Sequence, residues 1–128
     1  MRWAAEQTGA RSRFLVVTGA FWGADRTSEW FPVLAQRVSL ATLQGYEWTS
    51  GAEYEQQFDW LSRLQECGAQ GAECLATWQE ATGAPFSHVY LTSLDAANCC
   101  RALESSLRQS ASYTLVYPGP GAVIFARR

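Results

Sequence analysis

The chain has 128 residues and a formal net charge of −2; 48% of its residues are hydrophobic, 13% aromatic and only 17% charged. That length corresponds to one domain with enough apolar side chains for a core, and so low a charge density excludes intrinsic disorder. The balance of charge gives no footprint for a nucleic acid, and the longest apolar runs, Phe14–Val17 and Ala122–Ala126, fall far short of the ~20 residues of a membrane-spanning helix.

In chain order, residues 2–8 read as a short helix anchored by Trp3 and stopped at Gly9. The unbroken run Phe14-Leu15-Val16-Val17, closed by Thr18-Gly19, suits a strand buried on both faces. Ser28 is a cap for a helix from Glu29, with Pro32 in its first turn. Val38–Leu43 alternates as a second strand. Ser50-x-x-Glu53 is a capping-box signature, and Tyr54, Phe58, Leu61 and Leu64 follow at helical spacing. A further helix carries Cys74, Leu75, Trp78 and Ala81 on one stripe and ends at Gly83. Pro85 separates it from a third strand, Phe86–Leu91. Asp95 is a cap for a helix turning Ala96, one of Cys99 and Cys100, Leu103 and Leu107 inward. Tyr113–Tyr117 and Ala122–Ala126 are strands joined by Pro118-Gly119-Pro120-Gly121, a hairpin. Alternating strands and helices predict an α/β fold: a three-layer α/β/α sandwich, Rossmann-like, with a mostly parallel sheet of about five strands and a C-terminal antiparallel hairpin.

Chemistry is narrowed by what is missing. All basic residues are arginine, which removes Schiff-base and P-loop lysines. One histidine, His88, leaves no two-histidine metal motif; it is the only candidate base for a Ser-His-Asp triad, and its place inside a strand reads as packing. Cys67, Cys74, Cys99 and Cys100 have neither zinc-ribbon nor C-x-x-C spacing. Cys67 and Cys74 flank Gly68–Glu73, pliant enough for a disulfide that would add roughly 2–3 kcal/mol in an oxidising compartment; two buried free thiols would look the same. Cys99 and Cys100 read as packing residues. Neither a cofactor nor a metal is expected. Gly19-Ala20-Phe21-Trp22-Gly23 occupies the place of a dinucleotide phosphate loop without its glycine pattern.

Asp25, Glu29 and Glu47 are carboxylates near strand ends; they read as loop acids, or as a pair of the kind that hydrolyses glycosides. The aromatics are a sharper signal. Phe21 and Trp22 follow the first strand, Tyr46 and Trp48 the second, and Trp30 and Phe31 open the helix between. Ligands of open α/β sheets bind beyond the carboxyl ends of the strands, where such rings stack on a flat apolar face, or else plug the sheet's end or dock on a neighbour.

Met1-Arg2-Trp3-Ala4-Ala5-Glu6-Gln7-Thr8 followed by Arg13–Gly19, then Ser28–Leu34, Arg37-Val38-Ser39 and Thr42-Leu43-Gln44-Gly45-Tyr46-Glu47-Trp48, resemble the segment after the last membrane helix of bacterial multi-spanning glycosyltransferase-like proteins. Cys67, Cys74, Pro85-Phe86, Val89-Tyr90, Cys99-Cys100, Leu115-Val116-Tyr117 and Gly119–Ala122 also fit. The pattern departs at Gly9-Ala10, where the group has Pro-Pro, and at Ala35-Gln36, where it has Thr-Gly. Phe21-Trp22-Gly23-Ala24-Asp25 is a loose echo of the oligosaccharyltransferase W-W-D-x-G motif.

The resemblance implies that residues 1–128 are a single soluble domain, a piece of a larger integral-membrane protein, on the extracytoplasmic side of the cell membrane. Met1–Gln7 lacks a signal-peptide core, and the parent's helices would supply export. The domain would be non-catalytic, since the transferases' catalytic carboxylates lie in loops between membrane helices. It would help recognise a glycan or polyprenyl-phosphate sugar, or gate the active site, through Trp22, Asp25, Arg26, Glu29, Tyr46, Glu47 and Trp48. Its partner would be the parent's membrane-embedded portion; by itself it would be a monomer or weak dimer. The alternatives are a protein-interaction domain without a ligand and a small stand-alone hydrolase built on His88.

Overall fold

A computed structural model describes residues 1–40, 42–43, 51–92 and 99–128. The elements are α1 (Arg2–Gln7), β1 (Arg13–Val17), a 3-10 turn (Trp22–Ala24), α2 (Arg26–Ala35), β2 (Val38–Ser39), α3 (Gly51–Glu66), a second 3-10 turn (Cys67–Ala69), α4 (Ala72–Thr82), β3 (His88–Thr92), α5 (Arg101–Gln109), β4 (Tyr113–Tyr117) and β5 (Ala122–Arg127). Among the described residues, no helix is long and apolar enough to cross a membrane.

The strands form one open sheet in the order β2-β1-β3-β5-β4. β1 runs parallel to β2 and β3, whereas β5 is antiparallel to β3 and β4. The fold is therefore α/β with five strands and the expected C-terminal hairpin, but its sheet is evenly mixed where a mostly parallel one was expected. The reason lies in the hairpin. Turning at Pro118–Gly121, it returns β5 beside β4, and β5 rather than β4 then pairs with β3, from His88 opposite Ala126 to Thr92 opposite Ala122.

Period-two alternation distributes the strand side chains between two apolar clusters. Phe14, Val16, Tyr90 and Ile124 pack with Ala4 of α1 and with Phe31 and Ala35 of α2. Leu15, Val17, Val89, Leu91, Val123 and Phe125 pack with Leu61 and Leu64 of α3, Leu75 and Trp78 of α4, and Leu103 and Leu107 of α5. β1 reads as an unbroken apolar run because both of its faces are covered. Each fully buried Leu or Phe contributes about 1.5–3 kcal/mol. In the first cluster the rings interlock: Phe14 lies 5.0 Å from Phe31, and Phe31 5.1 Å from Tyr90.

Element ends differ from the sequence reading in instructive ways. α2 starts at Arg26 and its cap is Asp25, not Ser28. β2 stops at Ser39, earlier than the expected Leu43, and Thr42 beyond it is buried, its hydroxyl 3.0 Å from the Ser28 carbonyl oxygen and 2.6 Å from the Ser39 hydroxyl. The proposed caps Ser50 and Asp95 lie outside the described residues. α5 begins after Cys100, so Cys99 and Cys100 precede the helix instead of riding on it. Cys67 and Cys74 are bridged, as anticipated, across the second 3-10 turn and the first turn of α4. Cys99 and Cys100 are bonded to each other, so none of the four is a free thiol.

Candidate functional site

The chain leaves β1 for β2 on one side of it and later returns to β3 on the other. In open α/β sheets the crevice outside the carboxyl ends of two such neighbours is where ligands settle, because the connections diverge there. Here the crevice is framed by Thr18 and Gly19 after β1, by Cys99 and Cys100 on the chain returning from β3, and by Gln65 and Gly68 at the end of α3.

Gln65 fixes the floor. Its side-chain Oε1 accepts from the backbone N–H of Thr18 at 2.7 Å and of Gly19 at 2.9 Å, while its Nε2 donates to the Val16 carbonyl at 3.0 Å. Those partners assign the amide's two ends. Gly19 has a φ of +69°, and a Cβ there would stand 2.7 Å from Cys99 Sγ; only glycine fits both constraints. A cavity of about 240 Å3 opens between Gly19, Gln65, Gly68 and the Cys99–Cys100 pair. A second, of about 200 Å3, shares Gly19 and Gln65 and is bordered by Phe21 and Trp22.

The residues singled out from sequence fall into three groups. Trp22 is half-buried, near-perpendicular to the rings of Tyr54 and Phe58 at 6.3 and 6.4 Å, and borders the smaller cavity. Asp25 is only 4% exposed. Its Oδ1 accepts from Ser28 N at 2.9 Å and its Oδ2 from the Thr18 hydroxyl at 2.6 Å, so its carboxylate caps α2 and ties it to the end of β1. Arg26 and Glu29 are exposed in the first turn of α2. Tyr46, Glu47 and Trp48 lie outside the described residues. Of the other strand-end aromatics, Phe31 belongs to the core, Trp30 is exposed, and Phe21 is 67% exposed beside the crevice.

His88 stands at the amino end of β3, away from the crevice. Its ring stacks on Phe14 at 4.7 Å, its Nδ1 lies 2.9 Å from the Ser87 hydroxyl, and burial lowers its pKa. Among the described residues, no group of three or more His, Cys, Asp or Glu is placed to hold a metal ion.

Sequence reasoning missed Gln65, Gly68 and the bonded Cys99–Cys100 pair. A helical glutamine looks like surface, and no local pattern announces a reach across to β1. Gly19 directly after a buried strand was the one signal available. No family model matches the chain, nor does any curated protein or solved structure.

Proposed function

We propose that this chain is a non-catalytic accessory domain of a multi-spanning glycosyltransferase-like membrane protein, lying on the extracytoplasmic side and helping to recognise a glycan or polyprenyl-phosphate sugar. The reading draws on the sequence resemblance centred on Glu29–Trp48. The observation that carries it is the crevice at the carboxyl ends of β1 and β3, with Phe21 exposed at its rim and Trp22 held beside it on α3. Such rings stack on the apolar face of a sugar or an isoprene unit. Two clusters on alternate strand residues also favour three layers, with α1 and α2 on one side of the sheet and α3, α4 and α5 on the other. Replacing Phe21 and Trp22 together by Ala in the full-length parent should lower transfer while leaving the circular dichroism of the isolated domain unchanged. Wild-type turnover would reject the reading.

A second reading, a docking domain, is favoured by α2. Trp30, Val33 and Leu34 lie at i, i+3 and i+4 and are all exposed, with Val38 exposed just beyond the helix. Exposed apolar stripes of this kind mark interaction surfaces. Leu34→Glu with Trp30→Glu should then release the domain from the parent's membrane portion, or dissociate any dimer, without altering sugar binding.

A further inference from the structure

The Cys99–Cys100 bond has no ready explanation in stability. A disulfide stabilises chiefly by closing a loop in the unfolded chain. The sequence separation is 7 for Cys67–Cys74 but 1 for Cys99–Cys100, which closes essentially no loop. The vicinal pair is nevertheless closely fitted. Besides the approach at Gly19, a Cβ on Gly68 would stand 3.2 Å from Cys100 Sγ and 3.3 Å from Cys99 Sγ. The pair lines the cavity of about 240 Å3 at the carboxyl ends of β1 and β3. Its two halves differ in access: Cys99 is half-buried, whereas Cys100 is 3% exposed. Cys100 Sγ lies 3.6 Å from the Val17 carbonyl oxygen, an acceptor in place for a thiol hydrogen.

We propose that Cys99–Cys100 is a thiol–disulfide exchange site, opened and closed by a dithiol that reaches it through this cavity. A thiolate of the dithiol attacks Cys99 Sγ, which belongs to the more exposed residue of the pair. A new sulfur–sulfur bond forms as the Cys99–Cys100 bond breaks, and the electron pair leaves on Cys100 Sγ, which takes a proton and donates it toward Val17. The second thiol of the dithiol, once deprotonated, attacks its partner sulfur in the mixed disulfide and expels Cys99 as a thiolate, which is protonated in turn. Two electrons and two protons move: the dithiol becomes a disulfide and the protein gains two thiols. Cys67–Cys74 is the structural bridge, since opening it also frees a loop of unfolded chain. The site shares the crevice with the proposed sugar contact but does not depend on it.

The test equilibrates the folded, oxidised chain with graded ratios of reduced to oxidised dithiothreitol, alkylates the thiols and locates them by peptide mass spectrometry. Cys99 and Cys100 should label together at a ratio about tenfold milder than the one that opens Cys67–Cys74, with an unchanged circular dichroism spectrum. Thioredoxin as a second reductant separates the sources: faster opening than by equimolar dithiothreitol identifies a protein dithiol, slower opening a small molecule, and both support the site. Single variants provide an independent check. With glutathione disulfide, Cys100→Ser should take up glutathione on Cys99, and Cys99→Ser should leave Cys100 unmodified. The proposal is overturned if Cys67–Cys74 opens first, if Cys99 and Cys100 yield only on unfolding, or if the two single variants react alike.

Discussion

Gln65→Met would remove the amide that clamps the end of β1 while keeping most of the side chain's volume. Four hydrogen bonds go with it: Oε1 accepts from Thr18 N at 2.7 Å, from Gly19 N at 2.9 Å and from the Thr18 hydroxyl at 3.3 Å, and Nε2 donates to the Val16 carbonyl at 3.0 Å. The Thr18 hydroxyl keeps its shorter bond to Asp25, so three are lost outright. Each such bond contributes a net ~0.5–1.5 kcal/mol. Thr18 is buried, so its amide loses its partner without gaining water, while the Gly19 amide lies where water can replace the glutamine. The sum is about 2–3 kcal/mol, a fall in Tm of about 8–12 °C for a chain of this size. Urea unfolding should show a lower midpoint at constant m. Gln65→Glu is the informative companion. Its carboxylate still accepts from both amides but sets an oxygen against the Val16 carbonyl where Nε2 donated, so it should lose about 1–3 kcal/mol, all of it from the Val16 side of the clamp. A Gln65→Met variant within about 0.5 kcal/mol of the parent would refute the clamp, because that loss fits a glutamine lying on the surface.

Three further outcomes follow from the same geometry. Gly19→Ala should cost about 2–4 kcal/mol, combining a positive φ with the clash on Cys99, whereas Gly83→Ala, at φ +65° in open space, should cost only about 1–2 kcal/mol; equal losses in thermal melts would contradict the crowding at Gly19. Converting Cys67 and Cys74 together to Ser should lower unfolding free energy by about 2 kcal/mol through the lost seven-residue loop closure, and an unchanged denaturation midpoint would contradict it. Burial lowers the His88 pKa below its ordinary 6.5, so the unfolded chain binds a proton that the folded chain refuses. Stability is then complete above about pH 6.5 and falls as the pH drops from there to the lowered folded value. His88→Phe should flatten the stability curve in that window, and an unaltered slope would assign it to other groups.

Where local chemistry decided an element, the residues announced it. Phe14–Val17 had no periodicity because both faces of β1 are covered, and that lack of pattern was itself the mark of an inner strand. Pro118–Gly121 marked the hairpin. The pairing of β5 with β3 instead of β4 was invisible, because it depends on which strand meets the edge of β3 in space. Asp25 and Ser28 both suit a helix cap, and the choice between them came from Thr18, whose hydroxyl holds the other carboxylate oxygen of Asp25. Trp22 was legible as a strand-end aromatic. Gln65 was not, since its importance comes from contacts 46 to 49 residues away in sequence. The vicinal cysteines were misplaced because the inward spacing of Leu103 and Leu107 extends naturally back through them, while the helix itself begins only at Arg101.

The claim on which the functional proposal rests is that the carboxyl ends of β1 and β3 form the surface where this chain meets its ligand. A nitrogen-15 NMR titration of the oxidised chain with a polyprenyl-phosphate sugar addresses it directly. Saturable shifts of the Thr18, Gly19, Phe21 and Gly68 amides and of the Trp22 indole are the predicted result. A spectrum that does not move, or one that moves only around Ser87, His88 and Arg127 at the other end of the sheet, would contradict it.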